Sequence, residues 1–151
     1  MLAELAADVL LDFTGEDGEP LAALEYIRRA AERALPVVAS DLAVPYRLEG
    51  ETVSPSMPGE HREAWLIRTK VLVCHLLRAQ AAQRVDFSSG DKSMTRSGEA
   101  KNFADLEKDL VSEYAALIEK LNPAADKTLI KLEATPLIYK IGSRHRHPER
   151  E

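Results

Sequence analysis

Twenty-four consecutive residues, His61–Arg84, contain neither glycine nor proline. A run of that length without a helix breaker is far longer than an ordinary strand and predicts one continuous α-helix. Its apolar residues Ala64, Trp65, Leu66, Ile67, Val71, Leu72, Val73, Leu76, Leu77 and Ala81 cover more than one face. Such a helix is contacted from several sides and belongs at the centre of a bundle. A second helix is expected from about Gly98 to Leu121, where Phe103, Leu106, Leu110, Tyr114, Leu117 and Leu121 recur every three or four residues. Asn122–Pro123 ends it. The polar segment Val85–Ser97, VDFSSGDKSMTRS, joins the two, with Ser97 as the expected N-cap and Glu99 in the first turn.

The N-terminal part is lighter in pattern. Leu2–Asp12 reads as a short amphipathic helix on Leu2, Leu5 and Val9. The glycines of Thr14–Glu19 stop it. A further helix is expected from Pro20, with a stripe of Leu21, Leu24, Ile27, Ala31 and Leu35, closed or kinked at Pro36. Val44–Leu48 and Glu51–Val53 flank Glu49–Gly50 and suggest a short β-hairpin, confined to edges by Pro45, Pro55 and Pro58. Beyond the second long helix, Leu129–Leu132 and Leu137–Ile141 suit extended segments, and Ser143–Glu151 is a charged end. The expected fold is mainly α. It is a small helical bundle with two long helices, a short hairpin or loop insertion, and an extended C-terminal tail. Residues 1–122 form the helical unit and 123–151 the arm.

Charge and cysteine content exclude several classes. The net charge of −5 disfavours a dedicated nucleic-acid binder. Met1–Glu60 carries twelve acids against four bases, His61–Leu121 nine against ten, and Asn122–Glu151 four against six. An acidic front and a basic tail would attract one subunit to the next, head to tail; solvated faces and a frayed end are the simpler account. The single cysteine, Cys74, permits no internal disulfide and sits in an apolar run as a small buried hydrophobe. Met1–Leu11 holds Glu4 and Asp8 and lacks the basic start of a signal peptide. No apolar run approaches a membrane span, so a cytoplasmic site of synthesis is expected.

Candidate chemistry is sparse. His145 and His147 form an H-x-H pair without a completing ligand set, in a tail with Arg144 and Arg146. His75 neighbours Cys74, but adjacent helical positions do not face each other, so it is expected as a core or interface histidine. Ser88–Ser93, SSGDKS, has one glycine and follows a helix, whereas a phosphate loop needs two glycines after a strand. The expectation is therefore no catalytic residue, no cofactor and no metal.

Trp65–Leu121 resembles the head–tail connector (adaptor, or head-completion) family of tailed bacteriophages. The likeness rests on the pattern φ-x-x-G-D-x-S-φ-x-R-S between two long helices, where φ is apolar. Here it is carried by Phe87, Gly90, Asp91, Ser93, Met94, Arg96 and Ser97. The pattern covers about thirty residues closely, and the order of elements fits over about 110. Physically, Gly90 permits a tight bend, while Asp91, Ser93 and Ser97 offer hydrogen bonds that fix turns. Arg96 suits a carboxylate, either across a subunit boundary or within its own subunit.

The resemblance implies a virion structural protein rather than an enzyme. Subunits would form a homo-oligomeric ring, twelve-fold by that likeness, at the virion neck after assembly in the bacterial cytoplasm. The ring would sit beneath the portal protein, extend the DNA channel without binding DNA specifically, and dock the next neck or tail component. The arm residues Leu129, Ile130, Leu132, Leu137, Ile138, Tyr139 and Ile141 would reach the portal. The alternative is a cytoplasmic helical-bundle adaptor or regulatory interaction module unrelated to phage.

Overall fold

Apolar spacing at three and four residues decides the architecture, and the computed structural model is mainly helical. It describes residues 1–85 and 93–124, with side chains for 1–83 and 100–124. In chain order the elements are α1 (Leu2–Asp12), α2 (Leu24–Asp41), β1 (Arg47–Glu49), β2 (Thr52–Ser54), α3 (Gly59–Val85) and α4 (Ser93–Leu121).

In α1, Leu2, Leu5, Ala6 and Val9 turn inward and Phe13 follows them into the core. The glycine-containing turn then closes on itself. Gly15 N–H donates to Glu19 O at 2.8 Å, and Leu21 N–H donates to Phe13 O at 2.8 Å. That closure holds Pro20–Leu21 out of helical geometry, so α2 begins at Leu24 instead of Pro20. As a result Leu21 and Leu24, expected on the buried stripe, are exposed, and the stripe starts at Ile27.

Helix α2 also runs through Pro36 to Asp41 rather than stopping there. Proline removes one backbone donor and normally breaks a helix. Here Ile27, Ala31, Ala34, Leu35, Val38 and Leu42 continue one buried stripe on both sides of it, while Pro36 itself faces solvent. Burial of the stripe outweighs the lost bond. The helix ends with Ala43 in the left-handed region at φ 54°. Val44 N–H donates to Ala39 O at 3.0 Å and Ala43 N–H to Ser40 O at 3.1 Å, the pairing of a Schellman C-cap.

The hairpin is present. Arg47 pairs with Ser54, Leu48 with Val53, and Glu49 with Thr52, so the loop is Gly50–Glu51. Gly50 has φ +65°, at the loop position where a II′ turn calls for glycine. Val53 is buried and Leu48 half-buried, which fixes the register. Tyr46, just before β1, hydrogen-bonds His61 Nδ1 at 2.7 Å and ties the hairpin to α3. Leu2 N–H donates to Glu51 O at 3.1 Å, and Arg28 pairs with Glu51, which tie it to α1 and α2.

Helices α3 and α4 are antiparallel. Glu60 meets Lys120, Arg68 meets Tyr114, and His75 meets Glu107, so positions rise on one helix as they fall on the other. From Ala64 to Thr69 α3 is covered on most sides: Ala64, Trp65, Ile67, Arg68 and Thr69 are buried and Leu66 is half-buried. Trp65 Nε1 donates to Ala31 O of α2 at 2.8 Å. Further along, Val73, Cys74, Leu77 and Ala81 are buried while His75, Ala79, Ala82 and Gln83 are exposed. The central-helix expectation therefore holds for the first half of α3. Its second half packs one side against α4.

Helix α4 begins at Ser93, five residues before the expected start, so Ser97 lies within it and is not its N-cap. Gly98 does not delay the start: one interior glycine costs about 1 kcal/mol, too little to stop a helix continued by its neighbours. On α4, Leu110, Tyr114 and Ile118 are fully buried, Phe103, Leu117 and Leu121 half-buried, and Leu106 exposed. Ile118 replaces Leu106 at the centre of the stripe.

Candidate functional site

The long helix pair has two unlike ends. At one end, Asp8 of α1 pairs with Arg62, Asp12 with Lys70, and the α2 terminus reaches Tyr114 and Asn122. These contacts engage α3 between Arg62 and Lys70 and α4 between Tyr114 and Asn122. The opposite end is bounded by Val85 and Ser93. Fifteen or more helical residues separate Lys70 from that end, roughly 22 Å at 1.5 Å per residue.

The described part of the segment Val85–Ser97, which is Val85 and Ser93–Ser97, falls at this distal end. Phe87, Gly90 and Asp91 lie outside the described residues. Ser93, Met94, Arg96 and Ser97 occupy the first turns of α4. Positions 93, 96 and 97 are three and four apart and so share one side of the helix. The arm residues Leu129, Ile130, Leu132, Leu137, Ile138, Tyr139 and Ile141, and the pair His145 and His147, lie outside the described residues.

Three polar clusters hold the described part together. At the proximal end Tyr114 Oη donates to Asp41 Oδ2 at 2.6 Å, and Asn122 Nδ2 donates to Asp41 O at 2.8 Å. Arg68 stands over the Tyr114 ring at 5.6 Å from its centroid, within cation–π range. In the second half of the α3–α4 seam, Glu107 forms an ion pair with Arg78 at 3.0 Å and lies 3.3 Å from His75 Nδ1. His75 is itself exposed, so of the two places expected for it, core or interface, the core is excluded, and it is a surface partner of the seam. The third cluster is Tyr46 with His61, whose rings meet edge-on at 5.8 Å. Burial pushes the Tyr46 hydroxyl above its ordinary range.

Each cluster ties together separate parts of the fold, and none sets a nucleophile beside a base in reach of a ligand. Cys74 is fully buried. Burial first, then the neighbouring Glu107 charge, pushes its thiol up to about 12. Such a thiol is inert at neutral pH. Among the described residues no group of three His, Cys, Asp or Glu side chains is placed to hold a metal ion. No described helix is long and apolar enough to cross a membrane.

Sequence reasoning missed Arg68, Asp41 and Glu107 as organising residues. Arg68 had a readable signal, because it is a cation set between Ile67 and Thr69 in the stretch whose apolar residues cover more than one face. Asp41 and Glu107 had none, since their partners are remote in sequence. Comparison with protein-family profiles, curated proteins and solved structures finds no match to this chain.

Proposed function

We propose that the chain is a virion structural protein, a head–tail connector subunit that assembles into a ring beneath the portal. The ring extends the DNA channel and docks the next neck or tail component, with no cofactor and no catalytic centre. The observation that carries this reading is where the polar pattern falls. Ser93, Met94, Arg96 and Ser97 of that pattern open α4, at the end of the long antiparallel helix pair away from the α1 and α2 ion pairs and the hairpin contacts. A strut of packed helices that carries a polar, arginine-bearing tip suits a heterologous contact, in which the tip of one subunit meets a different surface of the next. The use of His61, His75 and Glu107 in inter-element contacts also favours a scaffold over a catalyst.

In this reading Phe87, Gly90, Asp91, Ser93, Met94, Arg96 and Ser97 meet the neighbouring subunit. Leu129, Ile130, Leu132, Leu137, Ile138, Tyr139 and Ile141 meet the portal. The net charge of −5 suits a channel through which DNA slides without being held. The test is co-expression with a tailed-phage portal protein from the same genome, should it encode one, followed by affinity capture and negative-stain microscopy. Ring-shaped particles on the portal, lost on deletion of residues 123–151, are expected. A chain that ignores the portal and is absent from virions would instead be a helical adaptor of another partner.

A further inference from the structure

Four of the five exposed large apolar side chains among the described residues fall between positions 11 and 26: Leu11, Leu21, Leu24 and Tyr26, with Leu106 the fifth. Leu11 is 75% exposed, at the last turn of α1, and Leu21 and Leu24 are 46% and 47% exposed. The closed turn sets the backbone stretches that carry three of them next to one another. The Leu21 N–H bonds Phe13 O, two residues past Leu11, and Leu24 opens α2 three residues later. Scattered surface leucines are ordinary, but a local group of them with a polar rim marks a contact surface.

The rim is acidic. Residues 11–25 hold Asp12, Glu16, Asp17, Glu19 and Glu25 and no lysine or arginine. Asp12 is paired with Lys70 and Glu25 with Arg29. Glu16, Asp17 and Glu19 have no cation within ion-pairing distance among the described residues; Asp17 only accepts the Glu19 N–H at 3.1 Å. The corner therefore presents apolar surface beside unneutralised negative charge.

The chain contains one segment of matching chemistry. Residues 127–146 carry Lys127, Lys131, Lys140, Arg144 and Arg146 against Glu133 alone, a net charge of +4, and include Leu129, Leu137, Ile138 and Ile141. We propose that the corner formed by Leu11, Leu21 and Leu24 receives residues 127–146 of a second copy of this chain, with Glu16, Asp17 and Glu19 facing its bases. Apolar contact supplies affinity, and the opposite charges supply steering and direction. A contact between two different surfaces leaves each copy with a free corner and a free tail, so it propagates from copy to copy. It does not rest on the connector reading. For any one copy it is an alternative to a portal contact by the same segment.

The test uses the full chain with Cys74→Ala. One population carries Leu24→Cys and the other Ile141→Cys, and the two are mixed under mild oxidation. A disulfide between the populations is expected, along with its loss at high salt, where opposite charges are screened. Lys108→Cys, exposed on α4, replaces Leu24→Cys as the control and is expected to yield no such product. In parallel, sedimentation of the wild type is expected to show self-association that Leu21→Asp with Leu24→Asp weakens at least about tenfold, roughly the worth of 1.4 kcal/mol. Three results would overturn the proposal. They are a monomeric wild type, equal crosslinking by the control, or no disulfide between the two populations. None of these bears on portal capture, so the two readings fail separately.

Discussion

Tyr114 of α4 donates a 2.6 Å hydrogen bond to Asp41, the last residue of α2, across 73 positions of sequence. An acid at a helix C-terminus faces the negative end of the helix dipole and is unfavourable there. The tyrosine hydroxyl offsets that cost. Arg68, over the same ring, adds positive charge nearby. This junction fastens α2 to the long helix pair. Tyr114→Phe should therefore cost about 1–3 kcal/mol, the range for a hydrogen bond to a charged group plus the carboxylate left without its donor. Urea unfolding measures it. A double-mutant cycle with Asp41→Ala should return a coupling of about 0.5–3 kcal/mol, and additive single effects would count against the junction.

The C-cap of α2 offers a change in the other direction. Ala43 sits at φ 54° in a Schellman geometry that glycine adopts without a Cβ penalty. A left-handed conformation costs a non-glycine residue about 1–2 kcal/mol, and glycine returns part of that through its freer unfolded state. Ala43→Gly should raise stability by about 0.5–1 kcal/mol, seen as a higher unfolding midpoint with an unchanged denaturant slope.

Cys74 predicts a pH dependence. Its folded thiol is pushed up to about 12 from an ordinary value of 9.0. Above 9 the unfolded chain releases this proton while the folded chain keeps it. Stability linked to Cys74 is thus fully present below pH 9 and declines as pH rises toward 12. In Cys74→Ala that part of the alkaline slope should vanish. At pH 8 the native thiol should resist maleimide until the chain is unfolded in urea.

Much of the fold was written in local pattern. The glycine- and proline-free run His61–Arg84 differs from α3 by two residues at the start and one at the end, and Leu2–Asp12 coincides with α1. Gly50 marked the hairpin because a two-residue loop needs its backbone freedom. What local pattern hid was decided by tertiary burial. Pro36 signalled a helix end, yet Ala34, Leu35 and Val38 were buried together by carrying the helix past it. Ser97 signalled a cap by type alone, and α4 starts at Ser93. Leu21 and Leu24 had the spacing of core residues, but the Leu21–Phe13 backbone bond turned them outward. The candidate site was legible as residue types at a spacing. That its described residues, Ser93–Ser97, lie at the far end of the helix pair from α1 followed from the antiparallel pairing of α3 with α4, which sequence separation conceals.

The central claim is that the distal tip makes the contact between subunits. Its most direct measurement is ring assembly on portal particles by the Arg96→Glu variant, scored by electron microscopy beside far-ultraviolet circular dichroism of the free subunit. In the proposed ring Arg96 meets a carboxylate of the neighbour, and reversing its charge would leave like charges opposed, so rings should be lost or sharply reduced while helicity stays within error of the wild type. Rings formed as readily by Arg96→Glu as by the wild type, at equal helicity, would contradict the account.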